Sequence, residues 1–432
     1  MKLSELRDIA ASQKRQVEAL DTGLERESLS ALPDIDTHAL IVSGIRRCGK
    51  STLLHQFTRK LGKPYFYFNF DDLRLYGFTT SDFGLLDSVI AESGARLLFF
   101  DEIQAAEKWE LYIRQKLDER YQVIATGSNA SLLSGELGTK LTGRHITKEL
   151  FPFSYSEFLA FRQEPRSLSS LDEYLLQGGF PEYLKTGNAD ILVQLQTDIL
   201  YRDIAVRHGI RDVASLKRLF MLLLSNAANL VSPSNLTRTI GVKSPSTILD
   251  YFSYFEAAYL MKLVPKFSWS AKAQALAPKK LYIVDPGLIH TGSLSFTKNS
   301  GALLENFVFQ ELRRLTDDIY YFSEKDGECD FIVHPHGGAG TASDAGAASD
   351  AGTASDAGAG APLCIQVCWG LTQDTQEREL RGLISALSYF DLSEGIIITA
   401  DTKDEILQDG KKIHVIPAWG YHENNRKPVK IH

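Results

Sequence analysis

Apolar positions in the first third of the chain gather into four short continuous runs: ALIVSG at 39–44, PYFYFNF at 64–70, RLLFFDE at 96–102 and YQVIATGS at 121–128. The stretches between them have helical spacing. A continuous run of this length, bounded by turn or charged residues, is the signature of a strand covered on both faces in a parallel sheet. The pattern predicts an α/β domain over 36–151, preceded by a charged, amphipathic helical segment over 1–35 that ends near Pro33. That opening segment lacks the apolar centre of a secretory signal.

From 152 to 230 the spacing is helical, with LQGGFPEYL at 176–184 supplying a Gly-Gly and Pro turn between helices. Further on, SPSNLTRTIGVKSPSTILDYF reads as a short helix, a turn at Gly241 and a longer helix opening at Ser244-Pro245, followed by the apolar segments YLMKLV and KLYIVD. Two helices at this spacing followed by strands predict a winged helix over 231–295. The remainder, 296–432, begins with the helix GALLENFVFQELRRL and continues with the strands IYYFS, ECDFIV and CIQVCWG. Residues 337–361 interrupt it with ASDAG at 342, 348 and 354. This repeat holds no large apolar residue, so it cannot offset its ordering entropy and is expected to be disordered.

Composition adds boundaries to this picture. A chain of 432 residues, 44% hydrophobic and 23% charged, is long enough for several ordinary globular cores. The longest apolar stretches, such as LFMLLL, fall far short of the roughly 20 residues that span a bilayer. Four cysteines without a paired framework point to a reducing compartment, and the expectation is a cytoplasmic protein without membrane association. The net charge of −7 provides no global attraction for nucleic acid, so such contact requires a local basic patch.

The chemistry concentrates behind the first strand. There GIRRCGKST fits G-x-x-x-x-G-K-[ST], the phosphate-binding loop, and covers Gly44, Ile45, Arg46, Arg47, Cys48, Gly49, Lys50, Ser51 and Thr52. A strand before it and a helix after it turn the loop N–H groups and the helix N-terminus onto one anion. Lys50 is expected at the β- and γ-phosphates of ATP and the Ser51 hydroxyl on Mg²⁺. The third run ends in Asp101-Glu102, two carboxylates at the strand edge where open α/β sheets bind ligands. Asp101 is the expected metal ligand, usually through water, and Glu102 the group that orients the attacking water, which indicates hydrolysis. ATGSNASLL then places Ser128 and Asn129 as candidate γ-phosphate sensors. Arg144 is a candidate arginine finger, a surface ion pair being the other reading; a finger acting between subunits requires a homo-oligomer.

Together GIRRCGKSTLL, LLFFDEIQ, ATGSNASLL, LTGRHITKELFPFSYSEFL, GGFPEYL and ILYRDIAVRHGI resemble the AAA-type P-loop ATPases of bacteria and archaea that carry a C-terminal domain of unknown function. The resemblance implies a parallel-sheet ATPase core, a small helical lid over 152–230, a winged helix and a C-terminal α/β domain similar to restriction endonucleases. It also implies nucleotide-site roles for Lys50, Ser51, Asp101, Glu102 and the 128–129 pair, and leaves Arg202 and Asp203 as a recurrent lid motif without an assigned role. No substrate follows from it.

Two partner questions stay open at this level. Lys262, Lys266, Lys272, Lys279 and Lys280 lie in a stretch, 259–284, with no acid before Asp285, and are expected to grip DNA phosphates; domain packing or protein contact is the alternative. In the last domain Asp330 fits the first metal-binding acid of a nuclease and Glu305 an accompanying helix acid. However, Gln366 and Cys368 stand where an acid and a lysine belong, so nuclease activity is expected to be absent. Cys329, His334, His336, Cys364 and Cys368 flank the repeat as candidate zinc ligands, but Cys364 and Cys368 lie roughly 13 Å apart on an extended strand, too far to share one ion, and packing as buried thiols is the expected reading. The expectation is thus an ATPase whose nucleotide cycle drives a conformational change, DNA-associated, or alternatively a nucleotide-dependent signalling or scaffold switch that binds proteins.

Overall fold

The structure is a computed structural model that describes residues 1–128, 141, 143–293, 299–325, 327–334 and 361–421. The ASDAG repeat and Asn129 lie outside the described residues, as does His336. The chain divides into two compact units. One comprises Met1–Phe153, Phe180–Lys185 and Phe255–Leu260; the other Ser154–Gly179, Thr186–Tyr254 and Met261–His432.

The first unit is built on a five-stranded parallel sheet. The four apolar runs form β1 (Ala39–Ser43), β2 (Tyr65–Asn69), β3 (Leu97–Asp101) and β4 (Gln122–Gly127), and the order is β2-β3-β4-β1-β5. β1 and β3 are buried at every position, as continuous apolar sequence requires when both faces are covered. Helix α1 (Leu3–Glu18) buries Leu6, Ile9, Ala10, Gln13 and Val17, the one-face spacing of an amphipathic helix, and packs on β2 and on α3 (Phe83–Ser93). Phe66, Phe68, Phe70 and Phe100 fill the layer between them. Helix α2 (Lys50–Leu61) follows β1, and α4 (Trp109–Asp118) lies between β3 and β4. The edge strand β5 (His145–Glu149) pairs with β1 alone, from Ala39↔His145 to Ser43↔Glu149.

The second unit begins with helices, including a π-helical segment, Ile199–Val206. Helix Pro233–Ile240 ends at Gly241, whose φ of 82° is the left-handed value glycine tolerates, and helix Pro245–Ala257 starts soon after. A three-stranded antiparallel sheet follows in the order β6-β8-β7, from β6 (Leu230–Val231), β7 (Met261–Val264) and β8 (Lys279–Ile283). The last third carries a six-stranded mixed sheet, β13-β14-β12-β11-β10-β9. Its strands are β9 (Ile319–Glu324), β10 (Gly327–Val333), β11 (Leu363–Val367), β12 (Glu394–Thr399), β13 (Asp404–Gln408) and β14 (Lys411–Pro417). Helices Ser300–Arg313 and Gln373–Tyr389 flank it. Among the described residues no helix is long and apolar enough to cross a membrane.

Candidate nucleotide site

The C-terminal ends of β1, β3 and β4 lie side by side, and each delivers part of one site. At the end of β1 the chain turns through Gly44 at φ 146°, where a side chain would run into the Leu150 carbonyl. Gly49, at φ 101°, starts α2. Both glycines of the motif are therefore required by the path of the loop. Ile45 and Cys48 point into the protein, and the Cys48 thiol donates to the Leu150 carbonyl at 3.3 Å. Burial pushes that thiol up, away from a reactive thiolate. Arg47 is on the outside, 3.3 Å from Glu182.

Lys50 is 4% exposed, and its ammonium donates to the carbonyls of Gly44 at 3.0 Å and Ile45 at 3.1 Å. The lysine thus lies folded over the Gly44–Gly49 loop. Beside it the Ser51 hydroxyl donates to Asp101 Oδ1 at 2.9 Å, which brings together the two oxygens assigned to Mg²⁺. Tyr67 donates to Asp101 Oδ2 at 2.9 Å, and Thr126 bonds Oδ1 as well. Burial and the neighbouring Glu102 charge push the Asp101 carboxyl up, while the three hydroxyls draw it back. The donor set of a hydroxyl and a carboxylate oxygen, both hard, fits Mg²⁺.

Glu102 has φ 49°, an uncommon left-handed conformation for a residue with a side chain. Its amide donates to Thr126 Oγ1 at 2.9 Å, which holds the turn. Its carboxylate accepts from Gln104 Nε2 at 2.5 Å, and the same amide group lies 3.3 Å from Ser128 Oγ. The site therefore joins Lys50, Ser51, Asp101, Glu102 and Ser128.

Arg144 is not among them. It precedes β5, and its carbonyl accepts from Ala39 at the start of β1, so it stands at the opposite edge of the sheet from the loop. The five residues of β1 separate it from the loop, about 15 Å at 3.3 Å per residue. Its guanidinium pairs with Asp118 at 2.7 Å. Within its own chain it lies away from the phosphate-binding motif. Arg202 and Asp203 lie in the π-helical segment.

Four contributors were not legible in the sequence: Tyr67, Gln104, Thr126 and Arg26. Arg26 is 4% exposed and reaches under the loop, donating to the carbonyls of Cys48 and Phe151, each at 2.8 Å, with the Phe153 ring 4.9 Å away. Its backbone amide is pinned to Gln56 of α2. The helix expected over 1–35 ends at Glu18, and Arg26 lies in the non-helical stretch that follows, held by contacts distant in sequence. Thr126 and Tyr67 sit on neighbouring strands, and only the order β2-β3-β4 brings them to Asp101.

The five lysines of the basic stretch are spread over two strands, a short helix and a connecting segment. Lys262 is on β7, Lys272 on the helix Ala271–Leu276, and Lys279 on β8, whereas Lys266 pairs with Glu324 at 3.2 Å. Lys280 is 4% exposed and ion-paired with Glu305, Glu328 and Asp330, so it is withdrawn from any phosphate. Cys329, Cys364 and Cys368 are buried in the core of the last sheet.

Residues 36–159 match the model of an AAA domain, and 168–299 match that of a domain of unknown function, DUF8612. The uncharacterized protein MJ1544 of Methanocaldococcus jannaschii is 32% identical over 410 residues, covering 88% of this chain and 87% of that protein. An uncharacterized protein of Haemophilus influenzae is 28% identical, over 88% of this chain and 93% of its own length. Among solved structures, the Walker-type ATPase PABY2304 of Pyrococcus abyssi is 14% identical with a TM-score of 0.35, covering 59% of this chain and 90% of that one. With an AAA-family P-loop domain at its N-terminal side and this extent of identity to MJ1544, the chain belongs to the AAA-domain family that includes that archaeal protein.

Proposed function

We propose that the protein is a Mg²⁺-dependent ATPase. The observation that carries this reading is the 2.9 Å contact between Ser51 and Asp101 directly beside the buried Lys50, with Glu102 next in sequence. ATP entry exchanges the Gly44 and Ile45 carbonyls on the Lys50 ammonium for phosphate oxygens. Mg²⁺, when bound with the nucleotide, neutralises charge on the phosphates. Glu102 must leave Gln104 to accept a proton from the attacking water, so the Gln104 contact describes a resting arrangement. Asn129 and Ser128 are proposed as γ-phosphate sensors. Since Arg144 is remote from the loop of its own chain, a finger role requires a second copy, and Arg144→Ala tests it by turnover.

The domain order proposed is the ATPase core over 36–151, a helical lid over 152–230, a winged helix over 231–295 and a nuclease-like domain over 296–432. The turn at Gly241 and the β6-β8-β7 sheet support the winged helix. Gln366 and Cys368, in place of an acid and a lysine, support a domain that does not cut. DNA association would rest on Lys262, Lys266, Lys272 and Lys279. The withdrawal of Lys280 favours the second reading, a nucleotide-dependent switch that binds protein partners. ATP hydrolysis measured with and without DNA at two salt concentrations separates them. Stimulation that fades with salt supports DNA, and unchanged turnover with every DNA form at low salt supports the switch. Absence of hydrolysis under all conditions would remove the ATPase reading.

A further inference from the structure

Lys280 and Tyr282 stand two residues apart on β8 and so face the same side. The Lys280 ammonium lies 2.7 Å from Asp330 Oδ1, 2.7 Å from Glu328 Oε1 and 3.1 Å from Glu305 Oε1. These oxygens come from β10 and from the helix Ser300–Arg313. The Tyr282 hydroxyl donates to Glu305 Oε1 at 2.7 Å. The remaining Asp330 oxygen accepts from the Val367 amide at 2.9 Å. Gln366 accepts from the Asp330 amide at 3.3 Å and donates to Glu379 at 2.6 Å, and Glu379 in turn accepts from Arg378.

Three carboxylate oxygens thus converge on one point from different parts of the unit. Oxygen ligands surround a divalent cation at about 2.0–2.6 Å, so the ammonium nitrogen occupies the centre such an ion would take, with slightly longer contacts. Burial by itself lowers the Lys280 pKa, but Asp330, Glu305 and Glu328 outweigh it and hold the ammonium above its ordinary range. Burial and Asp330 push Glu305 up, and Lys280 and Tyr282 draw it back. The lysine and carboxylates therefore depend on one another. Among the described residues no group of three or more His, Cys, Asp or Glu is placed to hold a metal ion. At the point where Glu305, Glu328 and Asp330 converge, the position is taken by the ammonium.

We infer that the Lys280 ammonium is a built-in replacement for a divalent cation, closing the Glu305–Glu328–Asp330 cluster to metal and fastening β8 to the last sheet. A divalent ion and the ammonium cannot share the position. Gln366, neutral and engaged with Glu379, does not restore a metal ligand. This goes beyond the ATPase reading and is tested without nucleotide.

The test is a titration of the full, nucleotide-free chain with Mn²⁺, followed by the electron paramagnetic resonance of the free ion. Wild type and Asp330→Asn are expected to take up Mn²⁺ equally, because the cluster contributes no site. Lys280→Met, which keeps length and removes charge, is expected to gain one site at least tenfold tighter than any in wild type. The double variant Lys280→Met/Asp330→Asn should lose it. Asp330-dependent uptake by wild type overturns the inference, as does a folded Lys280→Met with no added site. If Lys280→Met does not fold, the wild-type and Asp330→Asn pair decides: equal uptake supports the closed cluster and unequal uptake overturns it.

Discussion

Replacing Arg26 with alanine removes a support that lies outside every nucleotide motif in the chain. The guanidinium satisfies two buried carbonyls, Cys48 inside the phosphate-binding loop and Phe151 beyond β5, and lies against the Phe153 ring. Hydrogen bonds to charged groups contribute about 1.5–3 kcal/mol each, and the ring contact about 0.5–2 kcal/mol. Only the Cys48 bond bears directly on the loop. Losing it leaves a buried carbonyl without that donor and lets the peptide rotate, which misaims the amides that follow. If that single bond, about 1.5–3 kcal/mol, is felt in binding, the Kd for ATP rises roughly 10- to 150-fold. Titration with a fluorescent ATP analogue reads this, alongside thermal denaturation to verify folding. Arg59→Ala is the control, since Arg59 also holds the 20–22 segment, through Leu20 and Thr22, but is exposed and away from the loop; its effect should stay under about threefold. Arg26→Lys should be intermediate, because one ammonium cannot reproduce the fork that spans both carbonyls. A folded Arg26→Ala that binds within twofold of wild type would show that the Cys48 contact does not support the loop.

Two further outcomes follow from the same sheet. Thr126→Val removes the hydroxyl shared by Asp101 and the Glu102 amide; at about 1–3 kcal/mol it should lower kcat by roughly 5- to 150-fold while ATP affinity stays within about threefold, as steady-state kinetics would report. His55, buried against Tyr67 and Phe99, has its pKa lowered to about 4 by burial and by the Arg59 and Lys14 charges. The unfolded chain therefore takes up this proton first, so stability is full above about pH 6.5 and falls as pH drops towards 4, by about 3 kcal/mol in all. Urea denaturation at pH 7 and pH 4.5 should show this loss, and His55→Phe should reduce it; an unchanged slope in that variant would assign the loss to other groups.

What the sequence could disclose follows from which forces leave a local mark. β1 to β4 are buried on both faces, so their residues had to be apolar and continuous, and all four stood out. β5 did not, because HITKE is an edge strand with mostly half-buried, polar positions, held by its pairing to β1 rather than by its own hydrophobicity. The loop glycines and Lys50 were legible because backbone geometry and phosphate charge restrict those positions to few residue types. Tyr67 and Thr126 are ordinary strand residues until strand order sets them around Asp101. Lys280 shows the converse difficulty: its charge suggested a surface, while three acids 25 to 50 residues further on make a buried position stable.

Whether Lys50, Ser51, Asp101 and Glu102 form a hydrolytic site is decided by phosphate release from Mg²⁺-ATP by wild type and Glu102→Gln, with ATP binding measured in parallel. The amide keeps shape and removes the base. Wild type is expected to turn over ATP, and Glu102→Gln to lose at least about 100-fold in turnover with ATP bound as tightly as before. Equal turnover in the two proteins, or none in wild type, would contradict a hydrolytic site.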